Sequence, residues 1–478
     1  MFLVALTLAA SVGACAGPPG RSGGDPAPVA LRSVYGNGVS GVGSDISAAI
    51  AAASARGAVA IASPVLPQGG SPDDTDGAAL AVLRAGRSDV AVIRAPALVA
   101  AGATSLAPLQ APFVVQSDDQ ATRVAADPIA GEMLAGLRRI GLVGLALVPG
   151  GLRHPFGYKD PLRGPADYRG AVINVRRGGG PEDIIRALGA VPDYAVDDLR
   201  RARVKSGALR GIEVAFGQFG AVDGPAVVTS NVTLYEKFDV VVIRRSVYDT
   251  LSRAQRDALH RAVGTGVARA LAQRRDEAGG LREWCGRVDG SSIVVPAATV
   301  AALRAATAPV LAAINGDARA AAIVARMRAL GDGLAPAPGA TCAGPTSTDL
   351  TAYAVSPVGN QHVLDGTWRI AVDKDALVAA GVPIHDAEAN AGIWTLRIRK
   401  GRAEVDQPNG DPCLFQFSFA RNRVGLVQDA EGNEHCGGHG AGTFRRRGDV
   451  VTFRWQTQLD YGVVLDQAMF HEMRRIGD

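Results

Sequence analysis

Apolar positions follow two different rhythms along the chain, and the change between them falls near Gly331. Before it, short apolar runs alternate with amphipathic stretches. LRSVYG, AVAIA, SDVAVI, GLVGLALV, GAVINV and FDVVVI are each bounded by glycine, proline or charge, and predict strands. SDISAAIAAASA, DDTDGAALAVLRAG, DQATRVAADPIAGEMLAGLRRIG and PEDIIRALG repeat apolar residues at helical spacing. Such alternation predicts α/β architecture with largely parallel sheet. A single long helix is expected over 252–284. Ser252 and Gln255 form its capping box, and Leu259, Val263 and Val267 continue one apolar face.

Beyond the Pro/Gly/Ser/Thr stretch GDGLAPAPGATCAGPTSTD the helical alternation stops. GTWRIAV, IWTLRIRKGRAEV, CLFQFSFARNRVGLV, GTFRRRGDVVTFRW and YGVVLDQAMF alternate with period two. That pattern predicts a small antiparallel barrel or sandwich, with a helical insertion at DKDALVAAGV. The expected divisions are residues 1–14, 15–28, an α/β region 29–335, a linker 336–362 and a β region 363–478.

The N-terminus adds a destination. Phe2 to Ala14 is an apolar run shorter than the ~20 residues a bilayer span needs, and it fits the core of a secretory signal. VGAC at 12–15 resembles a lipobox, in which Cys15 becomes lipid-modified; the Gly/Pro linker to residue 28 then holds the protein off the membrane. The expected location is the cell envelope, on the outer face of the cytoplasmic membrane. Four further cysteines suit an oxidising compartment. Sequence leaves their pairing open; proximity favours Cys285 with Cys342 and Cys413 with Cys436. HCGGH at 435–439 is a rival metal arrangement for the second pair, and the disulfide is preferred.

Charge narrows the partners. With 50 basic and 46 acidic side chains the net charge is only +4, and no basic run carries interleaved aromatics, so nucleic acid is not an expected partner. Hydrophobic content of 47% is enough for sizeable cores.

RGAVINVRRGGGPEDIIRALGAVPDY, at 169–194, hands a strand over to three glycines and a helix. It lacks the lysine and hydroxyl of a phosphate loop and the spacing of a dinucleotide fingerprint. Glu182 and Asp183 at the helix start would repel a phosphate. What remains is an arginine at a strand end, suited to gripping a carboxylate by two parallel hydrogen bonds.

An ordered set of segments resembles the substrate-binding proteins of tripartite ATP-independent periplasmic (TRAP) transporters. They are LRAGRSDVAVI (83–93), LQAPFVVQS (109–117), GLVGLALVPGGLR (141–153), PADYRGAVINVR (165–176), LGAVPDY (188–194), SGALRGIE (206–213) and YDTLSRAQRDAL (248–259). The resemblance implies a two-lobed periplasmic-binding-protein fold, with an organic acid held by arginine in the interlobe cleft and delivered to membrane permease subunits. It carries Arg153 and Glu213 over as ligand neighbours. The family's carboxylate-gripping arginine falls on Asn174. Arg176 lies two residues on, so it points to the same face of an extended strand, about 7 Å further along. Either Arg176 replaces the missing arginine, or Asn174 lines the cleft for a less acidic ligand. Arg94, Phe216, Gln218 and Asn231 complete the candidate lining.

No cofactor, metal or catalytic group is expected. The histidines are scattered, HEMRR at 471–475 lacks a second histidine, and no G-x-S-x-G elbow occurs. LDGTWRI and the strands after it are loosely similar to calycin-like barrels. The expected function is a monomeric, lipid-anchored solute receptor. The alternative is an orphan lipoprotein acting as a ligand sensor or adaptor through its β domain.

Overall fold

The computed structural model describes residues 28–35, 42–55, 58–61, 75–216, 218, 222, 224–273, 276–286, 290–343, 360–379, 390–406, 413–428, 439–455 and 472–477. The apolar run 2–14, Cys15, Cys436 and the 461–470 segment lie outside them.

Among the described residues twelve strands build the α/β part: β1 (Val29–Leu31), β2 (Ser33–Tyr35), β3 (Val59–Ile61), β4 (Val90–Arg94), β5 (Leu142–Tyr158), β6 (Val172–Asn174), β7 (Val191–Asp193), β8 (Gly211–Val214), β9 (Ala226–Thr229), β10 (Tyr235–Arg244), β11 (Gly290–Ile293) and β12 (Cys342–Ala343). Strands β1 and β3 form a small parallel sheet; the other ten run in the order β12-β11-β9-β5-β10-β4-β2, with β8, β6 and β7 branching from β5. Pairing is parallel in β2–β4, β6–β7, β6–β8 and β9–β11. It is antiparallel wherever β5 or β10 takes part, against the expectation of a largely parallel sheet.

That departure makes the two lobes. The longer, N-terminal part of β5 pairs with β10 in one lobe, from Leu142 opposite Arg244 to Arg153 opposite Tyr235. Its last residues, His154 to Tyr158, pair with β8 and β9 in the other. Both crossing strands are buried over most of their length: β5 is half-buried only at 144–146, and β10 is buried at every position but the last. Each lobe has its own core, around Leu98, Leu106 and Val240 on one side and around Ile173, Ile184 and Leu303 on the other.

The capping box forms as read: Gln255 N donates to Ser252 Oγ at 3.2 Å, and Ser252 N to Gln255 Oε1 at 2.9 Å. The expected single helix is two, Arg253–Gln273 and Glu277–Gly286. Asp276 explains the restart, because its carboxylate accepts from Gly279 N at 2.6 Å and opens the second helix. Cys285 in that helix is bonded to Cys342 of β12, Cα atoms 5.9 Å apart. The segment before β12 is also tied down, through Ala337 N to Gln116 O and Ala340 N to Ser230 Oγ. The α/β unit therefore continues to Ala343.

The β region is a closed barrel of consecutive antiparallel strands: β13 (Gly366–Val372), β14 (Gly392–Arg399), β15 (Arg402–Asp406), β16 (Cys413–Ala420), β17 (Arg423–Gln428), β18 (His439–Arg447), β19 (Val450–Trp455) and β20 (Glu472–Gly477). Alternate side chains fill its interior, among them Trp368, Leu396, Phe417, Phe419, Val424 and Phe453. Trp368 donates its indole N–H to Leu364 O at 2.7 Å, and the Arg446 guanidinium lies 5.4 Å over its ring.

Candidate ligand-binding site

Charged side chains gather where the crossing strands pass between the lobes. Arg94, at the end of β4, is buried and bonded to Asp76 of the Thr75–Arg84 helix through its guanidinium and, at 3.1 Å, through its backbone N–H. Burial opposes the Arg94 charge, but Asp76 beside it holds the pKa above the ordinary value. Arg153 on β5 faces Glu213 on β8 at 3.4 Å, both buried. That contact is an ion pair without hydrogen-bond alignment, since Arg153 Nε and Glu213 Oε2 lack hydrogen-bond partners. Burial pushes the Glu213 carboxyl above its usual range, against the pull of Arg153 and of the Tyr235 hydroxyl that donates to it.

Arg176 differs from its neighbours. It follows β6 and is half-buried, with its guanidinium largely enclosed by protein yet still open to solvent. Burial, then the nearby Arg94 and Arg200, then Arg153 push its pKa down to about 10, with only Asp76 opposing them. Among the described residues Arg176 has no hydrogen-bond or ion-pair partner. A cation so placed is costly unless an anion joins it.

A second charged group lies on β10. Glu236 accepts from Gly150 N at 3.0 Å and Gly151 N at 2.9 Å, spanning a bulge in the β5–β10 ladder. Lys237 Nζ is 3.1 Å from Asp239 Oδ2, and both side chains are buried. Burial pushes the Lys237 ammonium down to about 8; Asp239 opposes this, and Arg153 and Arg94 add to it.

Three of the remaining candidates, Asn174, Phe216 and Asn231, make contacts within the fold. Asn174 donates its amide to Asp193 Oδ1 at 3.1 Å and Ala195 O at 2.8 Å, so it joins β6 to the chain after β7. Phe216 is packed in a core with Phe156 and lies 4.6 Å from the His154 ring. Asn231 bonds both ways with the Val295 backbone, at 2.8 and 2.9 Å. Gln218 is half-buried in the turn after β8. Sequence reasoning missed Asp76, Arg200, Tyr235, Lys237 and Asp239. The visible signal was YEKFD, with three charges at the head of an apolar strand.

The glycine run after Arg176 meets the opposite lobe. A Cβ on Gly178, whose φ is +115°, would stand 3.2 Å from the Pro96 backbone, and one on Gly180 would stand 2.4 Å from Gln110 Cβ. Gly180 N donates to Gln110 Oε1. The glycines thus let this loop close against Pro96 and Gln110, beside the unpaired guanidinium.

Residues 70–195 match the family model described as bacterial extracellular solute-binding protein, family 7. The α/β region has the fold of TRAP periplasmic solute-binding proteins. Such a protein from Shewanella oneidensis, with bound succinate, is similar at 15% identity and TM-score 0.54, covering 63% of this chain and 100% of its own. One from Polaromonas sp. JS666, bound to D-erythronate, gives 19% and 0.53, covering 63% and 98%. One from Bradyrhizobium sp. BTAi1, in complex with galacturonate, gives 22% and 0.51, covering 63% and 99%. No curated protein matches the chain. The matched family and these TRAP-type structures are solute-binding proteins of transport, not enzymes.

Proposed function

We propose that this TRAP-type fold is an extracytoplasmic receptor that takes a small organic acid between its lobes and delivers it to TRAP-type permease subunits. Arg176 grips the carboxylate, with Arg94, Arg153 and Glu213 shaping the space around it. The observation that carries this reading is the enclosed Arg176 guanidinium, which has no partner among the described residues and is crowded by other arginines. Closure is driven by contacts that exist only when the lobes meet, and the bound acid supplies them. The neighbours solved with succinate, D-erythronate and galacturonate support a carboxylate over a neutral sugar. The receptor is anchored through lipidated Cys15 and works as a monomer.

The barrel favours a second reading, because similar structures cover 63% of this chain and nearly all of their own. In that reading the closed lobes signal through the barrel as a sensor or adaptor. Thermal shifts with succinate, galacturonate and galactose test the carboxylate. Acids at 100-fold over Kd should add about 2.7 kcal/mol of stability, and Arg176→Ala should abolish the gain. Equal stabilisation by galactose, or acid affinity unchanged in Arg176→Ala, defeats the proposal.

A further inference from the structure

The outside of the barrel is electrically lopsided. Inward and outward positions alternate on each strand. Among the described residues, the outward positions of the adjacent strands β18, β19, β20 and β13 hold five exposed arginines, Arg445, Arg447, Arg454, Arg474 and Arg369. The ladder sets them in rows. Arg447 stands opposite Val450, Val450 opposite Arg474, and Arg474 opposite Arg369. In the next row Arg445 stands opposite Thr452, and Thr452 opposite Glu472. In the third, Arg454 stands opposite Thr443. From β18 to β13 Glu472 is the acid in these rows, held by Arg474 at 2.9 Å, and the exposed Asp449 lies in the turn between β18 and β19. On β14, the strand next to β13, Arg397 is answered by Glu404 and Asp406.

Two apolar side chains stand at the edges of this face. Ile476 on β20 and Ile393 on β14 are 48% and 50% exposed, on the two strands that flank β13. Cations spread over a convex sheet, with isoleucines between and beside them, suit a planar array of negative headgroups. An acidic protein would instead meet shape-matched, buried anchors.

We propose that this arginine face of the barrel docks on an anionic lipid surface. Arginine contributes charge attraction there and isoleucine a shallow apolar insertion, the combination by which peripheral segments lie on a membrane. For a chain tethered at Cys15, as the proposed function has it, the face would lay the barrel against the bilayer.

The test is sedimentation of the full chain with vesicles of phosphatidylcholine alone and with about one third phosphatidylglycerol. A basic side chain near an anionic bilayer is worth roughly fivefold in affinity. The variant Arg369→Glu/Arg445→Glu/Arg454→Glu should therefore bind anionic vesicles at least about 100-fold more weakly. The equal charge change Arg253→Glu/Arg261→Glu/Arg269→Glu, on an exposed helix of the lobes, should leave binding within about threefold of the native chain, as should the neutral vesicles with either variant. The apolar N-terminal run is common to all three proteins and cancels. Should the triple variant fail to fold, Arg445→Gln and Arg454→Gln singly should each cost about fivefold, and raised salt should weaken native binding. Equal binding of the native chain to neutral and anionic vesicles overturns the proposal. So do an unaffected triple variant and capture of an acidic protein with no binding to lipid.

Discussion

Asn174 and Arg176 lie two residues apart at the end of one strand and have opposite fates: the amide nitrogen donates to Asp193 and Ala195, while the guanidinium has no partner among the described residues. Replacing Asn174 by alanine orphans the Ala195 carbonyl and part of Asp193. It should cost about 1–3 kcal/mol of stability while leaving the preference for acids intact. Replacing Arg176 should do the reverse: thermal stability without ligand changes little or rises, and affinity for a carboxylate falls by two orders of magnitude or so. Arg176→Lys should recover only part of it, since a point charge cannot make the two parallel bonds. Denaturation and calorimetric titration of the three variants separate the effects.

Lobe closure should depend on the glycine run. Gly180→Ala drives a Cβ to 2.4 Å from Gln110 Cβ, a contact made only when the loop meets the other lobe. Affinity should fall about tenfold or more through loss of the closed state, with the separate lobe cores unaffected. Small-angle scattering should show the variant remaining open at ligand concentrations that compact the native chain.

Much of this fold was legible because helices and strands in the lobes keep their periods, and the Ser252–Gln255 cap uses neighbours in sequence. The crossing strand was not. By its apolar pattern GLVGLALV stops at Pro149-Gly150-Gly151, an ordinary turn signal, and the family resemblance carries it only to Arg153, yet β5 runs through both to Tyr158, 17 residues in all. The Glu236 carboxylate accepts the two glycine N–H groups at a bulge, so the ladder survives a sequence that would usually end it. The site was half legible for a related reason. Arginines at strand ends can be seen in sequence, but whether one is already paired depends on acids such as Asp76, Glu213 and Asp193 brought in by tertiary contacts.

The Cys285–Cys342 bond closes a loop with a sequence separation of 57. Constraint of the unfolded chain by such a loop is worth up to about 4 kcal/mol. Reduction should therefore lower the unfolding midpoint of the α/β region markedly, and Cys285→Ser/Cys342→Ser should match the reduced native chain. Ligand affinity should persist, because the bond ties the Glu277–Gly286 helix to β12 and no charged group of the site takes part.

Lys237 gives the last expectation, in pH. Its folded pKa of about 8 lies below the ordinary lysine value of 10.5, with burial the largest cause. Between those values the unfolded chain holds more protons at this position than the folded one, so its contribution to stability rises with pH across that window. Below about pH 8 the group is charged in both states and the full burial cost is present; above about 10.5 it is neutral in both and the cost is gone. At 1.36 kcal/mol per unit the span is about 3 kcal/mol at most. Lys237→Met removes this rise but leaves Asp239 without its ammonium. The variant should thus be less stable at neutral pH, and its stability curve from pH 8 to 10 should lie flatter than that of the native chain. A parallel pair of curves would place the titration on another group and leave Lys237 charged throughout.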